Sequence, residues 1–468
     1  MTTPRVSVIA LTRDRSEEFL SLLHALRQQR MRDFEVIVVG AEPSALAHGA
    51  TRDFADRLVY LQCVDQNISM SRNIGLSAAR GEIVAFIDDD AAPEPDWLDE
   101  ALKVFAADDI GAVGGFVRGR NGVDFQWRGA LVDHFGAHRE LTAEDLMRQD
   151  LNDPESEAFL STVGVNSVFR RDALYEIGGF DENLHYFLDE SDVCFRLLKA
   201  GWRTALAPRA EVHHSYSESS ERSANRAPRD LFQVAASRVY FALTHGGAEW
   251  VEGNIERFED DQVERLRKFV QLGRISRRQS EQVEERMREG FEEGRARFDA
   301  GAKVGATLTG PNREEAGDLF INHDRARRPR VALVVTDAMR TRMNDVAERL
   351  VEAGCEVTLL DFQFSGRRLR VRFDRGVWRH VGGILGRDYF GAPPAPPRRC
   401  LRIKREVQRL SDRRDFDVII HPNLRKYRLG DLPMIPVGAM APKFVAEPLR
   451  PGAAEGVVGF LNAPAMAP

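Results

Sequence analysis

Gly81-Glu-Ile-Val-Ala-Phe-Ile-Asp-Asp-Asp90 decides the reading of this chain, because an aliphatic run ends abruptly in three consecutive carboxylates. Glu82 to Ile87 has the length and composition of a fully buried strand, entered after Gly81 and left before a helix-starting turn at Pro93-Glu-Pro95. Asp88, Asp89 and Asp90 then stand at the strand's tip, where like charges repel and require a cation. Open α/β sheets bind ligands at the carboxyl ends of their strands, and the fitting cation there is a hard divalent metal held together with substrate phosphates. A solvated acidic turn before a helix explains the triplet alone equally well, so the surrounding sequence must decide.

Working outward, Val6 to Leu11, Phe34 to Val39 and Leu58 to Leu61 are further strand candidates, separated by helical patterns at Glu17 to Gln29 and Ser69 to Ala79. This alternation predicts an α/β fold with a mostly parallel, Rossmann-like sheet and right-handed crossovers. From Ser215 to about residue 325 the chain is charged and helical. There Val263, Leu266 and Val270, then Val283, Met287 and Phe291, repeat at helical spacing, as the packing face of a helical hairpin would. After a basic linker at Arg325 to Arg330, Val331 to Val335, Asn344 to Ala353, Gly354 and Glu356 to Leu360 spell strand, helix, cap and strand. The expected parts are therefore 1–225, a helical segment 226–328 and a second Rossmann-like α/β domain 329–468.

The composition is that of a folded enzyme. The chain has 468 residues with 43% hydrophobic content, enough to fill real cores. Its 66 Lys and Arg against 72 Asp and Glu leave a net charge of -6, so no overall field draws it to nucleic acid. No apolar stretch reaches the length of a membrane span and no signal-peptide pattern opens the chain, which predicts a cytoplasmic protein. Cys63, Cys194, Cys355 and Cys400 form no Cys-x-x-Cys pair and read as reduced core thiols.

About a hundred residues beyond the acidic tip the chain reads Gly178-Gly-Phe-Asp-Glu-Asn-Leu184, then Phe187-Leu-Asp-Glu-Ser-Asp-Val-Cys-Phe-Arg196, then Pro208-Arg-Ala-Glu-Val-His-His214. Taken with the strand ending in Asp-x-Asp, this order resembles the family 2 glycosyltransferases over residues 5–220. The resemblance implies a glycosyltransferase A catalytic domain, a nucleoside-diphosphate-sugar transferase that inverts the anomeric centre with Mn2+ or Mg2+.

The chemistry has two requirements. The departing diphosphate needs its charge neutralised, which a divalent metal does directly; Asp88 and Asp90 suit that task, and His214 or its neighbour His213 could add a ligand. By resemblance the family's late histidine falls on His214, which completes the metal or diphosphate site. The acceptor hydroxyl also needs a base, and a carboxylate can serve. Asp189, Glu190 and Asp192 open a helix, where the dipole alone favours acids. Asp192, four residues before Arg196, reads as structural. By position the family's catalytic acid falls on Glu190, by residue type on Asp189, and both stay candidates. Donor binding by resemblance involves Thr12, Asp14, Arg15, Arg72, Asp88 and Asp89, with Asn73 orienting its loop. The acid that the family uses on the nucleotide base is missing from Val39-Gly-Ala-Glu-Pro-Ser44, with Glu42 the nearest substitute.

The acceptor side is less legible. Gly114 to Arg120 and Asp124 to Trp127 could line a sugar groove, with Trp127 and Trp202 as stacking candidates or core residues. The C-terminal part resembles the amino-terminal lobe of a glycosyltransferase B fold through Val331-Ala-Leu-Val-Val335, Leu350 to Leu360 and Phe416 to His421. Its Arg-dense stretch from Arg367 to Arg414 is either a solvated basic face or a peripheral contact with anionic membrane or glycan. The expected function is metal-dependent sugar transfer to a glycan or lipid-linked acceptor, in cell-surface polysaccharide synthesis. A non-catalytic sugar-nucleotide-binding scaffold is the alternative. A nucleotidyltransferase would need a Gly-rich phosphate loop, and Leu11-Thr-Arg-Asp-Arg15 has no glycine.

Overall fold

Side-chain alternation along four buried strands builds the first sheet: β1 (Val6–Thr12), β2 (Phe34–Gly40), β3 (Leu58–Gln62) and β4 (Ile83–Asp88). The computed structural model describes residues 3–13, 15–40, 58–142, 144–145, 151–217, 223, 226–308, 329–335, 340–352, 354–361, 370–381, 410, 416, 418–421 and 434–436. Asp14, Glu42, Cys400 and most of the stretch from Arg367 to Arg414 lie outside the described residues. The first four strands are parallel in the order β3-β2-β1-β4. Helices α1 (Ser16–Arg27) and α2 (Ile68–Ala78) supply the crossovers. Val6, Val8, Ala10, Ile83, Ala85 and Ile87 pack with Phe19, Leu22, Leu23 and Leu26 of α1. Ile9, Val84 and Phe86 face the other way, into a second core with Leu76 of α2. Both sheet faces are thus covered, as period-two alternation in a buried strand requires.

Gly81 admits β4 to the sheet, because a Cβ there would meet the Ser7 backbone nitrogen at 2.5 Å. The buried Glu35 carboxylate accepts from the Ser7 hydroxyl at 2.5 Å and from Arg80 Nε at 3.1 Å, fixing the same corner. Chain order reverses between β1 and β4, and Leu11 pairs with Asp88 across that seam. The acidic triplet therefore leaves the sheet at its topological switch point, where a crevice opens between diverging connections.

The expected helix-starting turn at Pro93-Glu-Pro95 is entered through a short strand, β5 (Ala91–Pro93), and helix α3 (Trp97–Val104) begins beyond Pro95. The sheet continues through β6 (Ile110–Arg118), its partner β7 (Phe125–Trp127), β11 (Asn166–Arg170) and β12 (Arg203–His214). Its order is β3-β2-β1-β4-β11-β6-β12-β5, with β11 antiparallel to β4 and β6, and β12 parallel to β6. Strand β5 pairs with β12, His214 opposite Ala91, which returns the end of β12 to the acidic tip. A small sheet of β8 (Ala130–Asp133), β9 (His138–Glu140) and β10 (Ala158–Ser161) lies apart from it.

Helices α4 (Arg171–Glu176) and α5 (Asp189–Lys199) cover the second core, followed by α6 (Phe232–His245), α7 (Val251–Gln271) and α8 (Arg277–Asp299). Leu266, Val283, Met287 and Phe291 are buried together with Ala235 and Val239 of α6, and Val263 packs against them. Ser276 starts α8 with a reciprocal capping box to Gln279.

The C-terminal sheet contains β13 (Arg330–Val335), β14 (Glu356–Asp361), β15 (Arg370–Asp374), β16 (Val377–Val381), β17 (Val418–His421) and β18 (Met434–Pro436). Its order is β15-β16-β14-β13-β17-β18, parallel except for β15, with α9 (Arg340–Glu352) between β13 and β14. The β15–β16 hairpin packs on the first sheet: Gln28 donates to the Gly376 carbonyl at 2.8 Å, and the Val371 N–H donates to Asn121 at 2.7 Å. Trp378, buried, packs there with Ala25 and Ala92. Among the described residues no helix is long and apolar enough to cross a membrane.

Candidate active site

Asp88, Asp90 and His214 each bring one ligand atom to a common point, all within 4.8 Å of one another. His214 Nε2 lies 3.2 Å from Asp90 Oδ1, and its Nδ1 lies 2.9 Å from Gln126 Oε1. Ser217 donates its backbone N–H to Asp90 Oδ2 at 2.8 Å. On the other side, Arg15 reaches Asp89 at 3.3 Å and Asp90 at 3.2 Å. The triplet is thus divided: Asp90 is bridged between Arg15 and His214, Asp88 ends β4 half-buried, and Asp89 is buried beside Thr12.

The protonation equilibria record this crowding. Burial raises Asp88, with the charge of Asp90 adding to it and His214 and Arg72 opposing. Asp89 is pushed up to about 7 by burial, against the pull of Arg15. For Asp90 burial acts in the same direction, but the His214 bond, Arg15 and the Ser217 N–H prevail and lower it. Burial would lower His214, yet Asp90 and Asp88 raise it. Two carboxylates and an adjacent imidazole converging in this way could hold a divalent cation, the imidazole giving up its proton to do so.

Strand alternation separates the two histidines. His213 points away from the cluster, with Nε2 2.9 Å from Glu94 and its ring edge-on to Trp378 at 4.8 Å.

The second half of the site is the start of α5. Phe187 and Leu188 have φ of 77° and 66°, the left-handed region that non-glycine residues rarely occupy. This turn sends the two candidate bases in different directions. Asp189 is 2% exposed and forms an ion pair with Arg72. Glu190 keeps a side chain 15% exposed, accepts the Gly164 N–H at 3.2 Å and stands 3.8 Å from Arg72. Arg72 lies against the rings of Phe86 and Phe180, at 5.7 and 5.3 Å. Burial lowers its pKa, while Glu190 and Asp88 both raise it, so one guanidinium spans the two halves. Gly164 leaves room for the guanidinium, since a Cβ there would meet Arg72 Nη2 at 2.5 Å and push it aside.

Supporting contacts explain the other motif residues. Asn73 donates to the Phe180 carbonyl at 2.9 Å and accepts the Phe180 N–H, tying α2 to the Gly178-Gly-Phe turn. Asp192 is buried between Arg196 and His245, at 2.5 and 2.8 Å. Trp127 lies over Gly114 on β6, whereas Trp202 donates to Glu176 at the opposite end of the sheet from the cluster. Gln126, Ser217 and Gly164 carry no motif signal; only the pairing of β7 with β6 and the path after β12 bring the first two to the histidine and Asp90.

Residues 4–232 match the family described as "Glycosyltransferase like family 2". A glucosyl-dolichyl phosphate glucuronosyltransferase from Haloferax volcanii is 30% identical over 236 residues, covering 46% of this chain and 70% of that protein. The succinoglycan biosynthesis protein ExoM of Rhizobium meliloti is 33% identical over 259 residues, covering 52% and 73%. Other relatives are matched over only 25%, 31% and 29% of their own length. A solved mannosyltransferase from Pyrobaculum calidifontis, in complex with GDP-Man and Mn2+, is 19% identical with a TM-score of 0.38, covering 66% of this chain and 79% of that one. These matches, on an α/β fold with carboxylates at a strand tip, put the chain in the sugar-transferase class of enzymes. The chain belongs to the family 2 glycosyltransferases.

Proposed function

We propose that this glycosyltransferase is inverting and metal-dependent, moving a sugar from a nucleoside diphosphate to a glycan or lipid-linked acceptor in cell-surface polysaccharide synthesis. The observation that carries the reading is the convergence of Asp88, Asp90 and His214 at the switch point, joined through Arg72 to Glu190. The relatives named for dolichyl-phosphate-linked glucuronosyl transfer and for succinoglycan synthesis support the two acceptor classes.

Asp88, Asp90 and His214 would hold Mn2+ or Mg2+, which supplies charge neutralisation for the departing diphosphate. Arg15, held by Asp89 and Asp90 at the same crevice, presents a guanidinium suited to phosphate oxygens, and Thr12 lines the end of β1 beside it. Asp14 adjoins them in sequence. Arg72 fixes the Asp189 carboxylate and leaves Glu190 facing the crevice, where it takes the proton of the attacking hydroxyl. The burial of Asp189 in its ion pair favours Glu190 for that role, with Asp189 the positioning partner. Attack from the Glu190 side on a sugar whose diphosphate lies at Asp88 gives a single displacement with inversion.

We read 1–225 as the catalytic domain, 226–328 as a helical segment and 329–468 as a Rossmann-like domain, placed in the cytoplasm and peripheral to the membrane. A panel of nucleotide sugars assayed with and without Mn2+ tests the function. Nucleoside diphosphate released only with metal is expected; release of pyrophosphate, or no donor-dependent release with any member, would refute it.

A further inference from the structure

Arg238, in the middle of α6, is a buried cation without a counter-ion. It is 6% exposed, and among the described residues no hydrogen bond or ion pair reaches its guanidinium, whose nitrogens are not closed off from solvent. Its one close partner is the Phe258 ring, 5.2 Å from the guanidinium carbon. Burial pushes its pKa down to about 10, with Asp133 and Asp261 opposing from a distance, so it remains charged at neutral pH. Its nitrogens keep contact with solvent while Phe258 covers the group, so its donors are open to a ligand.

Its location ties it to the reaction. The Gly136 turn separates Arg238 from the catalytic loop: a Cβ on Gly136 would sit 3.2 Å from Arg238 Nη1 and 2.7 Å from Leu188 Cδ1. Leu188 immediately precedes Asp189 and Glu190. Two residues past the turn, on the exposed strand β9, His138 meets the Phe187 ring at a tilt, 5.5 Å between centroids, and interacts electrostatically with both Glu190 and Arg238. The Asp133 carboxylate is engaged by the Phe135 and Ala137 N–H groups, at 2.9 and 2.7 Å.

We propose that Arg238, with His138 at its rim, forms an oxyanion subsite beside the Glu190 loop. It takes a carboxylate of a uronic acid or a phosphate carried by a sugar substrate. The planar fork of arginine matches either group bidentately. The subsite rests on the transferase reading for its purpose, while its occupancy can be measured without turnover.

The full chain is titrated with sodium D-glucuronate, with methyl phosphate and with neutral D-glucose, binding being followed by saturation-transfer NMR. The wild type should bind at least one oxyanion at least tenfold better than glucose. R238Q should lose that preference while its unfolding midpoint stays level, since no hydrogen bond or ion pair of the fold is removed. R238K, which keeps the charge, should retain part of the binding and controls for folding. Preference for glucuronate assigns a uronic acid, and preference for methyl phosphate assigns a phosphate. Equal oxyanion binding by wild type and R238Q, or no preference over glucose in the wild type, would overturn the subsite. Metal-stimulated nucleoside diphosphate release by the wild type is scored separately, so its loss counts against the transferase mechanism and not against the subsite.

Discussion

Replacing Glu190 by glutamine should remove turnover and leave the fold and donor affinity intact. The side chain is partly exposed and accepts one N–H, from Gly164 at 3.2 Å, a bond the amide oxygen can still accept. What disappears is proton acceptance, worth about 10² to 10⁴ in rate, or roughly 3–5 kcal/mol of barrier. Asp189→Asn should behave differently. It strips the partner from Arg72, whose own side chain is buried, and breaking such a pair costs about 3–5 kcal/mol. Glu190, 3.8 Å from Arg72, recovers only part of that loss. Steady-state release of nucleoside diphosphate, donor calorimetry and urea unfolding should therefore separate the variants, one losing rate and the other losing stability. A stable Asp189→Asn without turnover, beside an active Glu190→Gln, would refute this assignment and make Asp189 the base.

Asp192 is lowered to about 2, because Arg196 and His245 outweigh the burial that opposes ionisation. A depressed carboxylate stabilises the fold above its unfolded pKa and loses that contribution as pH falls, here by about 2 kcal/mol between roughly pH 4 and pH 2. Urea unfolding across that window should show a steeper loss for wild type than for Asp192→Asn, and parallel curves would count against the pairing. Trp378→Ala should destabilise the β15–β16 docking by roughly 3–5 kcal/mol and shift the His213 ring resonances, since the two rings meet at 4.8 Å. Unmoved His213 signals in a folded variant would mean that the hairpin does not pack there. A chain truncated after residue 325 should still release nucleoside diphosphate with metal, because Asp88, Asp90, Glu190 and His214 lie upstream, although it uncovers Ala25 and Ala92. Complete loss in a folded truncation would show that the C-terminal part helps to build the site.

β1, β2 and β4 are legible because each is buried on both faces, so aliphatic content marks them without help from partners, whereas β3 is buried only at its start. Ala91–Pro93 is not legible as a strand: three residues ending in proline pair only because β12 returns from more than a hundred residues away. The strand pattern Ala210-Glu-Val-His-His214 offers two histidines, and register alone sends one to Asp90 and the other to Glu94 and Trp378. Asp189 and Glu190 are ambiguous in sequence for a similar reason. Their directions depend on left-handed conformations at Phe187 and Leu188, which neither residue type favours. The surroundings of Arg238 carry no motif, since a helix, a glycine turn and the loop before α5 meet only in space.

Calorimetry of a turnover-competent nucleotide sugar, titrated with Mn2+ and again with excess EDTA, tests the grip of Asp88, Asp90 and His214 on the donor most directly. Wild-type chain should bind the donor at least tenfold more tightly with Mn2+, and Asp90→Ala should lose that enhancement while unfolding at a similar temperature. Equal donor affinity in the two proteins with Mn2+ would contradict a metal site at the tip of β4.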